Sequence, residues 1–420
     1  MTNSVDTIAP ALRAQAGDSP LNGGGPATSR ALRITFTGSG SEYFRLWVVN
    51  MLLTLVTLGL YLPFAKVRRL SYFYANTRID DHCLAFHGNP WRMLRGFLLV
   101  AVLMLVYGLG VRISPTAAVV SFAIFCLVWP ALWRASMQFR LSNTSWRGLR
   151  FAFRGSLAGA YRAYFPLLAS IFAFVATTQW MAPRPGDGPA NPAKFDPNLG
   201  WVMLACTVFM AILVPWGLAL VKRYQHGGYV YADQQTQLFT PTSRFYGLAI
   251  KGTLIYLASL VLVLAAVALL ALAVTLIVSS GAASDLKAYL EEFKKEHTVL
   301  ILSVGFGVLY LLSLSLVSAY FSARMQDIVW GGTRSEAVGF TSALKVWRLT
   351  RLNLKNWILT GLTLSLYRPF AAINLARLRL ESVSIMVDTD IDQWNAAHVS
   401  ARKDAAGEAA GDFFGIDIGL

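Results

Sequence analysis

TLIYLASLVLVLAAVALLALAVTLIV, residues Thr253–Val278, runs for 26 residues without a charged side chain. A helix needs about 20 apolar residues to cross a bilayer core of about 30 Å. A run this long decides that lipid is the solvent. Working outward, Ile113–Trp133, Ala163–Ala182, Leu199–Val221 and Val299–Ala323 are equally free of charge. Gly96–Val111 is shorter, but Arg95 and Arg112 at its ends can snorkel to the interface. The whole chain agrees: 55% of its 420 residues are hydrophobic and only 14% charged, where soluble domains carry about 25% charged residues.

Two further segments have membrane character and carry punctuation. Leu46–Ala65 has the length but contains Asn50, Thr54, Thr57, Gly59 and Pro63. Asn356–Tyr367 is interrupted by Arg368 and continues uncharged from Pro369 to Ala376. Both are expected to span the bilayer or to dip in and return. The expected fold class is therefore all-α: a polytopic transmembrane bundle of about eight hydrophobic segments. A membrane domain over 34–385 is flanked by a Gly/Pro-rich, disordered N-terminal tail at 1–33 and an acidic C-terminal tail at 386–420. Residues 1–33 have no apolar core and do not read as a signal peptide.

The net charge of +15 could suggest nucleic acid, but its distribution explains it otherwise. Loops 66–95, 134–162, 222–252 and 324–355 together hold 22 Lys and Arg, and the alternating connections only 6. That is the positive-inside pattern, which assigns the short basic loops to the cytoplasm and gives nucleic acid no role. Trp91, Trp129, Trp133, Trp180, Trp201, Trp216 and Trp357 lie near segment ends, as an interfacial aromatic belt requires.

The two punctuated segments repeat each other. A shift of 306 positions superposes Asn50–Ala65 on Asn356–Ala371 with ten identities in sixteen positions, including Asn, two Thr, Tyr, Pro and Phe. Asn50, Thr54, Thr57 and Tyr61, and their counterparts Asn356, Thr360, Thr363 and Tyr367, recur at i, i+4, i+7 and i+11, which is one helix face. Such a polar stripe in hydrocarbon needs partners. It reads as glue at a repeat interface or as the lining of a polar pathway. The basic loops echo one another too, with cations, then aromatics, then a polar turn and Phe. Alternation at Tyr72–Tyr74 and Tyr229–Tyr231 suggests short strands or extended arms there.

Phe36-Thr-Gly38-Ser-Gly-Ser-Glu42-Tyr43-Phe44, the Asn50…Tyr61 stretch and Asn143-Thr-Ser-Trp-Arg-Gly-Leu-Arg-Phe151 together resemble the YjgN-like family of bacterial inner-membrane proteins. The resemblance covers about residues 34–385 and implies a multi-pass protein of the bacterial inner (plasma) membrane. It brings no catalytic residue, substrate or cofactor with it.

Candidate chemistry is sparse. Gly23–Gly25 lacks the Lys-Ser/Thr of a phosphate loop, and no nucleophile elbow or zinc motif occurs. Asp80, Asp81, His82, His87 and His226 do not follow a metal-ligand spacing. Cys83, Cys126 and Cys206 are far apart. No cofactor or catalytic residue is expected. The six uncharged spans also lack the mid-membrane ionisable groups of proton-coupled machines. What remains is cationic. Lys66, Arg68, Arg69, Arg140, Arg147, Arg150, Lys222 and Arg223 sit in aromatic-rich strips suited to anionic phospholipid headgroups. The sequence points to a non-catalytic membrane protein that binds anionic lipid or a membrane partner and helps organise or maintain the membrane. The alternative is a small-solute transporter or channel with its pathway between the twin segments.

Overall fold

The computed structural model describes residues 30–180, 197–279, 284–388 and 394–398. The tails at 1–29 and 399–420, and the side chains of Trp180 and of the acidic stretch Asp285–Glu296, lie outside the described residues, as does most of the connection at 183–198. Among the described residues, ten long helices and eleven short strands alternate in a regular order. Strand β1 (Arg30–Phe36) leads into α1 (Gly40–Val56) and α2 (Leu62–Ala75), then β2 (Thr77–Ile79) and β3 (His82–Phe86). Next come α3 (Pro90–Ile113), α4 (Pro115–Ser142), β4 (Thr144–Trp146) and β5 (Leu149–Phe153). They are followed by α5 (Leu157–Trp180), α6 (Pro197–Gly227), β6 (Tyr229–Tyr231), β7 (Gln234–Gln235) and β8 (Gln237–Leu238). The chain continues through α7 (Thr242–Ser279), α8 (Ser284–Trp330), β9 (Thr333–Arg334), β10 (Val338–Ser342), α9 (Val346–Leu362), α10 (Arg368–Leu380) and β11 (Val383–Val387). The plan is thus five helical hairpins, each returning to strands.

The strands form one antiparallel sheet in the order β7-β6-β5-β4-β3-β2-β1-β11-β10-β9-β8. This is chain order read cyclically, because β1 pairs with both β2 (Ile34↔Ile79) and β11 (Leu32↔Ile385). The two edge strands, β7 and β8, are joined through the single residue Thr236. The sheet therefore closes on itself as a ring. An all-α expectation is corrected here: the basic loops are not merely short connections but carry nine of the eleven strands of this ring. Alternation at Tyr229–Tyr231 does mark strand β6, whereas Tyr72–Tyr74 is the last turn of α2. Arg30–Arg33, placed by composition in the N-terminal tail, belong to β1, and Met386 and Val387 to β11.

Local chemistry explains the units. Two strand pairs turn on residues with positive φ, Asp80 and Asp81 (48° and 64°) and Arg147 and Gly148 (48° and 84°), the geometry of two-residue primed hairpins. A threonine at the first strand position hydrogen-bonds the preceding helix three times over: Thr77 to Phe73 O (2.8 Å), Thr144 to Arg140 O (2.7 Å) and Thr333 to Val329 O (2.7 Å). Each satisfies a helix C-terminal carbonyl that would otherwise lack a donor. Phe-x-Gly then ends β3 and β5. A Cβ on Gly88 or Gly155 would come within 2.4–2.5 Å of the Phe86 or Phe153 ring, so only glycine lets the ring fold back there. In the loop that follows β1, Ser39 caps α1 by accepting from Glu42 N (3.2 Å).

Among the described residues six helices, α3 to α8, are long and apolar enough to cross a membrane. The twin segments do something else. α1 leaves from β1 and α2 returns to β2, and these strands are paired; α9 and α10 are bracketed likewise by β10 and β11. Each twin segment therefore enters and returns on the sheet side, with one orientation for both. Charge limits their depth. Only Leu46–Val56 of α1 is uncharged, about 16 Å of helix, and Lys355 leaves about 10 Å of α9 before its turn. Neither reaches across a core of about 30 Å. Their tips are apolar and open, with Leu58 94% and Leu364 90% exposed.

Among the described residues the hairpins pack chiefly onto their neighbours round the circle: α2 with α3, α4 with α5, α6 with α7, α8 with α9, and α10 with α1. At the last contact, Phe370 packs on Gly40 and Phe44, and Arg377 donates to Gly38 O (3.0 Å). Since all strands share one ring, the four basic loops lie on one side of the membrane spans. Trp91, Trp201, Trp216 and Trp357 are exposed as a belt requires, while Trp129 and Trp133 pack against Tyr164, Val221 and neighbouring residues between helices.

One labelling experiment checks this topology. Exposed Cys83 on β3 and a cysteine at Ser114, in the turn between α3 and α4, should react with an impermeant maleimide from opposite faces of a sealed vesicle. A cysteine at Leu364 should react from neither.

Candidate functional site

The ring encloses a cavity of about 710 Å³. Its walls are the inward side chains of the strands, among them Leu32, Ile34, Ile79, Leu84, Trp146, Phe151, Val338, Ile385 and Val387. Alternation places them there: in β1, Leu32 and Phe36 are buried while Arg33 and Thr35 are exposed. At the membrane end the cavity is roofed by the last turns of the returning helices, which supply Tyr74, Arg140, Lys222, Gln225, His226, Gln326 and Arg379. The site is amphipathic along its axis, with apolar strands below and polar helix ends above.

Three of those roof residues are cations. Among the described residues, no carboxylate comes within 4 Å of Arg140, Lys222 or Arg379. Their protein partners are neutral. Lys222 Nζ donates to Gln225 Oε1 (3.2 Å) and Arg379 Nε to Gln326 Oε1 (3.2 Å). Gln326 is buried and braced by its own donations to Ser382 Oγ (2.9 Å) and Arg379 O (3.1 Å). Gln225 in turn donates to the Tyr229 hydroxyl (2.6 Å). Burial pushes Tyr229 up to about 12, so this hydroxyl keeps its proton at neutral pH. His226 is enclosed, its Nδ1 paired with Thr333 Oγ1 at 3.0 Å. The Thr333 hydroxyl donates to Val329 O, so Nδ1 carries the hydrogen of this pair.

The far mouth of the ring lies at the strand turns. There Asp80 accepts from Arg30 (2.9 Å) and Arg147 (3.3 Å), tying β1 to two hairpin turns. A helical turn at Trp394–His398 sits across this mouth. Trp394 lines the cavity and packs at a tilt against Tyr231, with ring centroids 5.5 Å apart. Asn395 bonds the Tyr231 hydroxyl (3.3 Å) and Arg147 O (3.2 Å), and His398 Nε2 lies 3.4 Å from Asp233.

Of the eight cations singled out in the sequence, the structure brings Arg140 and Lys222 together and adds Arg379. Lys66, Arg68 and Arg69 are exposed on α2, where Arg68 lies over Tyr61 and Arg69 over Phe73. Arg147 serves the strand turn, Arg150 points outward from β5, and Arg223 donates to Thr240 O (3.0 Å). The place of Arg379 beside Lys222 depends on β11 closing the ring. Among the described residues no three of His, Cys, Asp and Glu gather at one point.

The twin polar stripes are used mainly within their own hairpins. Thr57 Oγ1 donates to Leu53 O (2.8 Å) and accepts from Tyr61 N (3.0 Å); Thr363 does the same with Leu359 O (2.6 Å) and Tyr367 N (3.0 Å). Thr54 Oγ1 donates to Asn50 O (2.6 Å), and Thr54 O and Thr360 O accept from Gly59 N (2.8 Å) and Ser365 N (2.7 Å). Each turn passes through positive φ at the same two repeat positions, Leu58 and Gly59 (50° and 93°) and Leu364 and Ser365 (47° and 75°). Asn50 and Asn356 are buried, and each leaves its Oδ1 without a donor.

The sequence profile of a family described as bacterial protein of unknown function (DUF898) matches residues 31–413, nearly the whole ring and its hairpins. The chain belongs to this family. Among curated proteins it is similar to the inner membrane protein YjgN of Salmonella typhimurium, 30% identical over 135 residues, which is 32% of this chain and 34% of that one. YjgN of Escherichia coli O157:H7 and of strain K12 are each 30% identical over 143 residues, covering 32% of this chain and 35% of theirs. The matched segments thus span about a third of these relatives. No solved structure matches. A multi-pass integral membrane protein, with relatives named for the inner membrane, is what the fold and the comparisons jointly support.

Two substitutions test the site's construction. Thr57→Val and Thr363→Val should each cost about 1–3 kcal/mol, because the Tyr61 or Tyr367 backbone amide at an apolar tip loses its partner; melting in detergent measures this. Gln326→Leu should cost a similar amount and free the Arg379 guanidinium, visible as a loss of melting temperature that Gln326→Glu does not reproduce.

Proposed function

We propose that this protein binds an anionic lipid of the inner membrane at its ring cavity, without catalysis, and by doing so helps organise or maintain that membrane. The single observation that carries the reading is the trio Arg140, Lys222 and Arg379, roofing an apolar cavity with no carboxylate within 4 Å of them among the described residues. Lys222 is half-buried while Arg140 and Arg379 stay open to solvent; clustered cations repel one another and need a counter-charge, and hydrogen bonds to charged groups contribute about 1.5–3 kcal/mol each. A phosphate at the membrane interface meets that need.

The outward cations Lys66, Arg68 and Arg69 complement this role. Cations near an anionic surface contribute about 1 kcal/mol each, which draws the protein and its lipid together without selecting a molecule. Location of the ring in the cytoplasm follows from the same charge asymmetry.

A second reading, a pathway for a small polar solute between the twin hairpins, draws on Asn50 and Asn356. Their undonated carboxamide oxygens offer two equivalent acceptors. The threonines and turns beside them are already engaged by their own backbones, which favours the lipid reading.

The test is thermal melting of the detergent-purified protein with phosphatidylglycerol, cardiolipin, phosphatidylcholine and a panel of small polar solutes. At a lipid concentration about 100 times Kd, binding to the folded form adds about 2.7 kcal/mol of stability. Anionic lipids should raise Tm and phosphatidylcholine should not; Arg140→Gln, Lys222→Met and Arg379→Gln should each remove most of the rise. A shift with one solute, abolished by Asn50→Leu or Asn356→Leu and indifferent to the cations, would instead support the second reading.

A further inference from the structure

Building on the lipid-binding reading, we propose that the occupant of the ring is a single-chain anionic amphiphile. Its head sits on Arg140, Lys222 and Arg379, and its chain lies along the ring axis toward Trp394.

Three features fix the ligand's shape. First, the wall is continuous: backbone pairing runs from β7 round to β8, and Thr236 joins those two strands covalently. The Thr236 amide also donates to Tyr229 O (3.0 Å), and its hydroxyl donates to His226 O, holding the junction shut. A ligand cannot slide in sideways between strands without breaking a ladder, so it lies end-on. Second, about 710 Å³ falls within the roughly 300–1,000 Å³ of pockets that enclose one small molecule. Third, polarity is segregated along the axis. Cations and amides occupy the helix ends, whereas Leu32, Ile79, Leu84, Phe151, Val338 and Val387 line the strands.

The far mouth is closed to match. Trp394 covers the apolar end, and its turn is fastened at the rim by Asn395 to Arg147 O and by His398 to Asp233. An apolar chain standing in the ring ends against an indole instead of in water. Exchange then takes place at the membrane end, between the helix termini, where single-chain amphiphiles partition.

The experiment places the full-length protein in nanodiscs of phosphatidylcholine and titrates two brominated tetradecyl phosphates, one labelled at the chain end and one beside the head. Bromine quenches tryptophan on contact, and Trp394→Phe isolates the contribution of Trp394 from the other eleven tryptophans. The chain-end label should quench Trp394 saturably, and the head-adjacent label should not. Lys222→Met combined with Arg379→Gln should weaken that quenching at least tenfold in concentration, while Arg150→Gln, on the outer face, leaves it unchanged. Circular dichroism and size-exclusion profiles establish that each variant is folded.

Equal quenching of wild type and Trp394→Phe would overturn the proposal, as would binding indifferent to the two cations. If quenching is absent while phosphatidylglycerol still raises Tm through the same cations, the lipid reading stands and a two-chain lipid with its chains in the bilayer takes this ligand's place. If both signals are absent, both readings fall.

Discussion

Antiparallel pairing of β1 with β2 on one side and with β11 on the other is the constraint on which the remaining architecture depends. It converts a run of helical hairpins into a circle, because each hairpin must leave from and return to neighbouring strands. Two consequences follow directly. All hairpins point the same way from the ring, and the paired strands flanking each twin segment forbid it from ending on the opposite face. The depth of a segment is then set by its charges, with Lys355 and Arg368 bounding one tip and Lys66 following the other. Fixing strands so distant in sequence carries a loop-closure cost, which ten strand pairings in series offset together.

The membrane spans were legible in the sequence because an uncharged 20-residue run has few other meanings. The duplication was legible as well, and the structure carries it further than identity alone, into equal turn geometry and equal hydrogen bonds at Thr57 and Thr363. The ring was not. Its strands are two to seven residues long, and a lone hairpin of that size is marginal in water. Asp80-Asp81 and Arg147-Gly148 turn by positive φ, yet only the second holds the glycine that signals it. Alternation over three residues, as at Tyr229–Tyr231, arises equally in helix α2 at Tyr72–Tyr74, so local pattern could not separate them.

The cation site shows the same division. Arg140 and Lys222 were conspicuous as members of basic strips, but six companions looked identical to them in sequence. What separates the eight is which way a side chain faces once the ring closes, a property of pairing register. Arg150 and Phe151 are adjacent and face opposite sides of one strand. Arg379 joins the site only because β11 docks beside β1, 350 residues from its partner in the chain.

Unequal hairpin depth gives the molecule a taper. In the leaflet next to the ring, ten helices claim lateral area; in the opposite leaflet only the six long ones do. The deficit is not spread evenly, because the two shallow hairpins stand side by side through α1 and α10. A bilayer surrounding such a body is crowded on one face and slack on the other over a single sector of the circumference. Elastic relief comes from tilting the neighbouring lipids toward that sector or from bending the sheet of membrane around it. A body of this taper is a wedge with a direction, set by where the two shallow hairpins stand.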